Sequence, residues 1–114
     1  MKFPFEENID KSVLFNQLQT EAHIWFFRDD VQLSDEQSVV YLSQLSVVER
    51  QRYQKFYYDD GKKSYLITHI LLRIALSKYA DVPVEAWQFI CNEHGKPEIA
   101  RVADLPEISF NITH

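Results

Sequence analysis

Leu66-Ile67-Thr68-His69-Ile70-Leu71-Leu72-Arg73-Ile74-Ala75-Leu76 is the most apolar stretch of the chain, and the rest must fold around it. Ile67, Ile70, Leu71 and Ile74 recur at helical spacing as one apolar stripe, which Leu72, Leu76 and Tyr79 widen. A helix this apolar needs cover on more than one side, so it is expected at the centre. Asp59 or Asp60 is expected to cap it, and it should run to about Ala80, with Pro83 as the stop. His69 and Arg73 interrupt the stretch, which is too short to span a bilayer.

Toward the N-terminus, Ser46-Val47-Val48-Glu49 matches a capping box, in which the serine hydroxyl takes an orphan N–H and the glutamate reaches back. It should open a helix with Tyr53, Phe56 and Tyr57 on one face. Ser34 to Leu45 is expected as another helix, with Val39, Val40 and Leu42 as its apolar members. Ala22-His23-Ile24-Trp25-Phe26-Phe27 is apolar on both faces and predicts a buried strand. Residues 1–21, mixed and polar, are expected as a loosely held arm before a unit spanning 22–114.

Toward the C-terminus, Trp87 to Cys91 predicts a strand, His94-Gly95-Lys96-Pro97 a turn, and Glu98-Ile99 a short return strand. Ile108, Phe110 and Ile112 alternate with Ser109, Asn111 and Thr113, the pattern of a half-buried strand. A strand, then helices, then a cluster of strands make the expected class α+β.

The 114 residues give room for one domain, and 46% hydrophobic content with two glycines excludes a disordered or low-complexity chain. The lone Cys91 excludes an internal disulfide and a multi-thiolate metal site, and it is expected as a small buried residue. Met1 to Glu7 lacks an apolar stretch behind a basic region, so no secretory leader is expected, and a cytoplasmic location fits. The net charge of −5 is unevenly spread: residues 1–44 hold three basic against eight acidic groups, and residues 50–78 seven basic against two acidic. Such a basic block is either a local anion site or two solvated helix faces, and is too narrow for general nucleic-acid binding.

Two stretches could carry chemistry. Gly95-Lys96-Pro97 mounts a lysine on a stiff turn, which is either a phosphate contact or an ordinary hairpin turn with a solvated lysine. In Phe110-Asn111-Ile112-Thr113-His114 an amide, a hydroxyl and an imidazole follow in close succession, either as phosphate donors or as a polar edge strand. Asp59-Asp60, and His94 with Glu93 and Glu98, are better explained by a helix start and a turn than by a metal. His23 and His69 are expected at the core boundary.

Together, the Ser46–Glu49 helix start with Arg50 and Arg52, Phe56-Tyr57, Leu71-Leu72-Arg73, Gly95-Lys96-Pro97 and Phe110-Asn111-Ile112-Thr113-His114 resemble the N-terminal half of a 4′-phosphopantetheinyl transferase of the surfactin-synthetase-activating type. The resemblance covers residues 22–114. It implies one half of a two-fold pseudo-symmetric fold, a small mainly antiparallel sheet packed on a long central helix, with coenzyme A between the halves. It further implies that Arg50, Arg52 and His114 approach the 3′-phosphate, that Lys96 and Thr113 reach the phosphates, and that Lys63, Ser64 and Tyr65 lie near the adenine end. This sequence departs from the family pattern at Ser64, where an arginine is frequent, and at Glu49, where a basic residue occurs. Arg73 matches a recurrent arginine of unassigned role, and a helix-surface ion pair is the other reading of it.

The reaction so implied transfers phosphopantetheine from coenzyme A to a serine of an acyl or peptidyl carrier protein. The serine oxygen attacks the β-phosphorus and 3′,5′-ADP leaves, with magnesium on the pyrophosphate. The family's acidic metal-binding strand lies beyond the Asn-x-(Ser/Thr)-His strand, so no catalytic or metal residue is expected in this chain. Alone it should be inactive, pairing with its missing half or with itself as a dimer. The alternative is a non-catalytic binding or interaction module on the same half-fold.

Overall fold

In the computed structural model, which describes residues 10–28 and 31–112, the chain forms α1 (Lys11–Gln17), α2 (Asp35–Ser43), α3 (Val47–Lys55) and α4 (Asp59–Leu76). A short 3-10 turn (Val84–Ala86), β1 (Phe89–Cys91) and β2 (Pro97–Ile99) follow. The strands make a two-stranded antiparallel sheet that pairs Phe89 with Ile99, Ile90 with Glu98 and Cys91 with Pro97. The architecture is α+β.

α4 buries Leu66, Ile67, Ile70, Leu71, Ala75 and Leu76. On one side Leu66 and Ile70 join Leu45, with Tyr41, Leu42 and Tyr53 of α2 and α3 packed against them. On the other, Leu76 meets Trp87 and Ile99, with Phe89, Ile108 and Phe110 around them. Cover on two sides is what an apolar stripe this wide requires.

α4 stops at Leu76, before the expected Ala80, because Ser77 draws the chain into a turn. The Ser77 hydroxyl donates to the Val82 carbonyl at 2.7 Å and accepts the Trp87 indole N–H at 2.8 Å. Pro83 therefore opens the 3-10 turn instead of ending α4. Neither aspartate caps the start: Tyr58 is the N-cap, and Asp59 and Asp60 occupy the first turn, where the helix dipole favours negative charge. Gly61 lies where a Cβ would stand 2.8 Å from the Phe56 ring, so its absence lets that ring close over the helix start.

The Ser46–Glu49 capping box is present, and α2 carries a second one from Ser34 to Gln37. Ser34→Ala is expected to cost about 1 kcal/mol in urea unfolding, since it orphans the Gln37 N–H. Val39 and Val40 face solvent, however, and Tyr41 and Leu42 supply the packed face of α2. α3 ends at Lys55, so Phe56 is its C-cap and Tyr57 projects outward at 89% exposure.

The segment 22–27 is not a buried strand. Ile24 is 76% and Phe26 64% exposed, and the run is held by its polar tips. Tyr79 accepts the Trp25 indole N–H at 3.0 Å, and its hydroxyl meets His23 Nδ1 at 2.6 Å. Within residues 1–21, Asp10 caps the unanticipated α1, and Lys11 pairs with Asp81 at 3.0 Å. Ile108, Phe110 and Ile112 are half-buried and Ser109 and Asn111 exposed as expected, but residues 108–112 form no strand. Their alternation reflects packing of Ile108 and Phe110 against the core without a ladder.

Candidate functional site

A buried polar cluster is centred on Glu49, in the first turn of α3. The capping box turns its carboxylate inward, leaving the residue 6% exposed. Oε1 accepts the Ser46 N–H at 3.0 Å and a short bond from Arg73 Nη2, and Oε2 bonds His69 Nδ1 at 2.9 Å. An ionised carboxylate only accepts, so His69 carries its proton on Nδ1 and donates it. Burial pushes the Glu49 pKa up, but the bonds from His69, Arg73 and Ser46 and the Arg73 charge outweigh it and bring it down to about 2.

Arg73 is 1% exposed, so its ion pair lies inside the protein and not on the helix surface. Its Nη1 donates to the Val84 carbonyl at 3.0 Å, and its guanidinium lies 5.2 Å from the centre of the Phe89 ring. Phe89 in turn meets Phe110 edge-on at 5.7 Å. An arginine within an apolar stripe needs a buried partner, and this was the signal in the sequence. The partner stayed hidden because the capping box alone accounts for Glu49.

From this cluster an aromatic stack leads outward. Tyr65 stacks on His69 at 4.1 Å and tilts against Phe56 at 5.4 Å. Its hydroxyl is buried and lacks a hydrogen bond of ordinary geometry. Burial, then the Glu49 charge, raises its pKa, and the nearby Arg52 and Arg73 guanidinium groups offset part of the rise.

The proposed phosphate contacts distribute over this frame. Arg50 and Arg52 are exposed on α3, and Arg52 comes beside Tyr65 of α4. Lys63 is half-buried in the second turn of α4, next to Lys62, whose ammonium lies 5.6 Å from the centre of the Tyr53 ring of α3. α3 and α4 thus meet at Arg52 with Tyr65 and at Lys62 with Tyr53.

Lys96 stands on a separate element, exposed at the hairpin tip, where Gly95 adopts a φ of 79° that favours glycine. The turn is tied by Asn92 Oδ1, which accepts the His94 and Lys96 N–H groups at 2.9 Å each. Among the described residues no hydrogen bond or ion pair joins Lys96 to α3. It does line one shallow, open depression together with Ser109 and Phe110. Thr113 and His114 lie outside the described residues.

Cys91 is exposed, contrary to expectation, because the hairpin runs past the core beyond Phe89 and Ile99. Among the described residues no group of three or more His, Cys, Asp or Glu side chains could hold a metal ion, and no helix is long and apolar enough to cross a membrane.

Residues 30–114 match the family described as 4′-phosphopantetheinyl transferase, N-terminal. Two curated relatives are the 4′-phosphopantetheinyl transferase Sfp of Bacillus subtilis (strain 168) and the 4′-phosphopantetheinyl transferase ffp of Bacillus subtilis, each 31% identical over 85 residues. The matched segment is 75% of this chain and 37% of each relative. On these matches and this α+β frame, the chain belongs to the 4′-phosphopantetheinyl transferase family and carries its N-terminal part.

Proposed function

We propose that this chain supplies part of the coenzyme A phosphate site of a 4′-phosphopantetheinyl transferase, an enzyme that moves phosphopantetheine to a serine of an acyl or peptidyl carrier protein. Arg50 and Arg52, with His114, take the 3′-phosphate; Lys96 and Thr113 take the remaining phosphates; Lys63 lies toward the adenine end. The observation that supports this most is the approach of Arg52 to Tyr65, because it folds the basic block of residues 50–78 back on itself. Two separate solvated helix faces would spread the same charges apart.

The magnesium that the reaction needs would be held by the acidic strand that the family resemblance puts in the C-terminal half, next to the pyrophosphate. This chain alone is expected to show no transfer, and a matching C-terminal half should restore some activity. The setting proposed is the cytoplasm, with the half-fold completed by that second half or by a two-fold dimer.

Calorimetry with coenzyme A and with dephospho-coenzyme A tests the site. Arg52→Ala is expected to weaken coenzyme A binding by about 10- to 100-fold, the worth of a charge-assisted phosphate bond, and to leave dephospho-coenzyme A nearly unchanged. Binding of neither ligand would favour a non-catalytic interaction module. The exposed Ile24, Phe26, Tyr57 and Tyr58 side chains are apolar surface that the missing half or a second copy of the chain could cover. Light scattering separates the two oligomeric states: a monomer at high concentration would count against self-association.

A further inference from the structure

We infer that the buried Glu49–Arg73 pair is the positioning element of this anion site, locking the α3 cations to α4 and to the hairpin side of the molecule. The inference rests on the coenzyme A reading above and assigns roles to two residues that the reading leaves out.

Glu49 immediately precedes Arg50 and lies one helical turn before Arg52, so whatever fixes Glu49 fixes the turn of α3 that carries both cations. Its carboxylate is held from three directions, by the Ser46 N–H, His69 and Arg73. Arg73 then spreads that restraint. One guanidinium bonds Glu49 on α3 and the Val84 carbonyl before β1, and covers the Phe89 ring within β1. Phe89 meets Phe110, which lines the same depression as Lys96. The pair is therefore a shared anchor of α3, which carries Arg50 and Arg52, and of β1, the strand that leads to the Lys96 turn.

Neither member is placed to touch an anion itself, since Arg73 is 1% exposed and Glu49 is negative. Charge alone would make Glu49 a hindrance to phosphate binding, so its removal would strengthen binding if proximity were all that mattered. A positioning role predicts the reverse, because a phosphate is gripped well only by donors already held in the matching geometry. The two effects have opposite signs.

The test uses Glu49→Gln, which keeps a side-chain oxygen for the Ser46 N–H, and the double variant Glu49→Gln/Arg73→Met, which removes both charges and leaves the net charge unchanged. Each is checked for cooperative urea unfolding and then titrated with coenzyme A and dephospho-coenzyme A. The expected result is that preference for the 3′-phosphate, the ratio of the two dissociation constants, falls by about fivefold or more in the folded double variant. A merely structural pair would lower stability and leave that ratio alone. An unchanged or increased ratio in a folded variant overturns the inference while sparing the coenzyme A reading.

Wild-type protein without any 3′-phosphate preference would instead sink the coenzyme A reading. The pair is then judged by inorganic phosphate, followed at the Arg50 and Arg52 Nε–H signals by NMR. Phosphate-induced shifts that the double variant loses support the inference. Shifts that persist in the variant, or that are absent from the wild type, overturn it.

Discussion

Arg73→Met should destabilise the protein by about 3–5 kcal/mol, because it leaves the Glu49 carboxylate buried without its cation. A domain of this size has about 5–15 kcal/mol to lose, so the variant sits near the edge of folding. His69 and the Ser46 N–H still bond the carboxylate, which keeps the loss toward the lower end. Adding Glu49→Gln to the same protein should recover much of it, since the penalty comes from the orphaned charge and not from the missing pair. Urea midpoints of the single and double variants measure the difference. A loss below about 1 kcal/mol for Arg73→Met would show that Glu49 reaches water as readily as it reaches the guanidinium.

Acid should unfold the protein through the same residue. The Glu49 pKa falls from 4.5 to about 2 on folding, so as pH drops the unfolded chain takes up the proton before the native one does. The stabilisation is complete above pH 4.5 and is lost progressively as pH falls toward 2. Its size is on the order of 3 kcal/mol, because a tenfold change in proton affinity is worth about 1.4 kcal/mol. The carboxylate side chain is only 9% exposed, so solvent screening trims this little. Glu49→Gln should remove this component, giving a flatter profile of urea stability between about pH 5 and 2.5. Parallel profiles for wild type and variant would place the acid sensitivity elsewhere.

How much of the site is legible in the sequence follows from the range of each interaction. Arg50 and Arg52 as a pair on one helix, and Lys96 on a stiff turn, need only the capping box at Ser46 and the Gly-Lys-Pro spacing. The partners of Arg73 do not follow from any such spacing. They come from three segments, and Glu49 is 24 residues away along the chain. Cys91 departs from expectation for a related reason: strand alternation names the two faces of a ribbon and does not say how far the core reaches along it.

By itself the sequence determined where α2 and α3 begin, where the hairpin turns and which stripe of α4 must be covered, since capping, φ preference and apolar periodicity act within a few residues. Only the tertiary structure decided what those elements meet. It turned Val39 and Val40 outward, hung residues 22–27 from the Tyr79 hydroxyl instead of a sheet, and ended α4 at the Ser77 turn. It also joined Glu49 to Arg73 inside the protein. The physical reason is that a buried charge or hydroxyl takes whichever partner the packing brings within reach, and packing is a property of the whole chain.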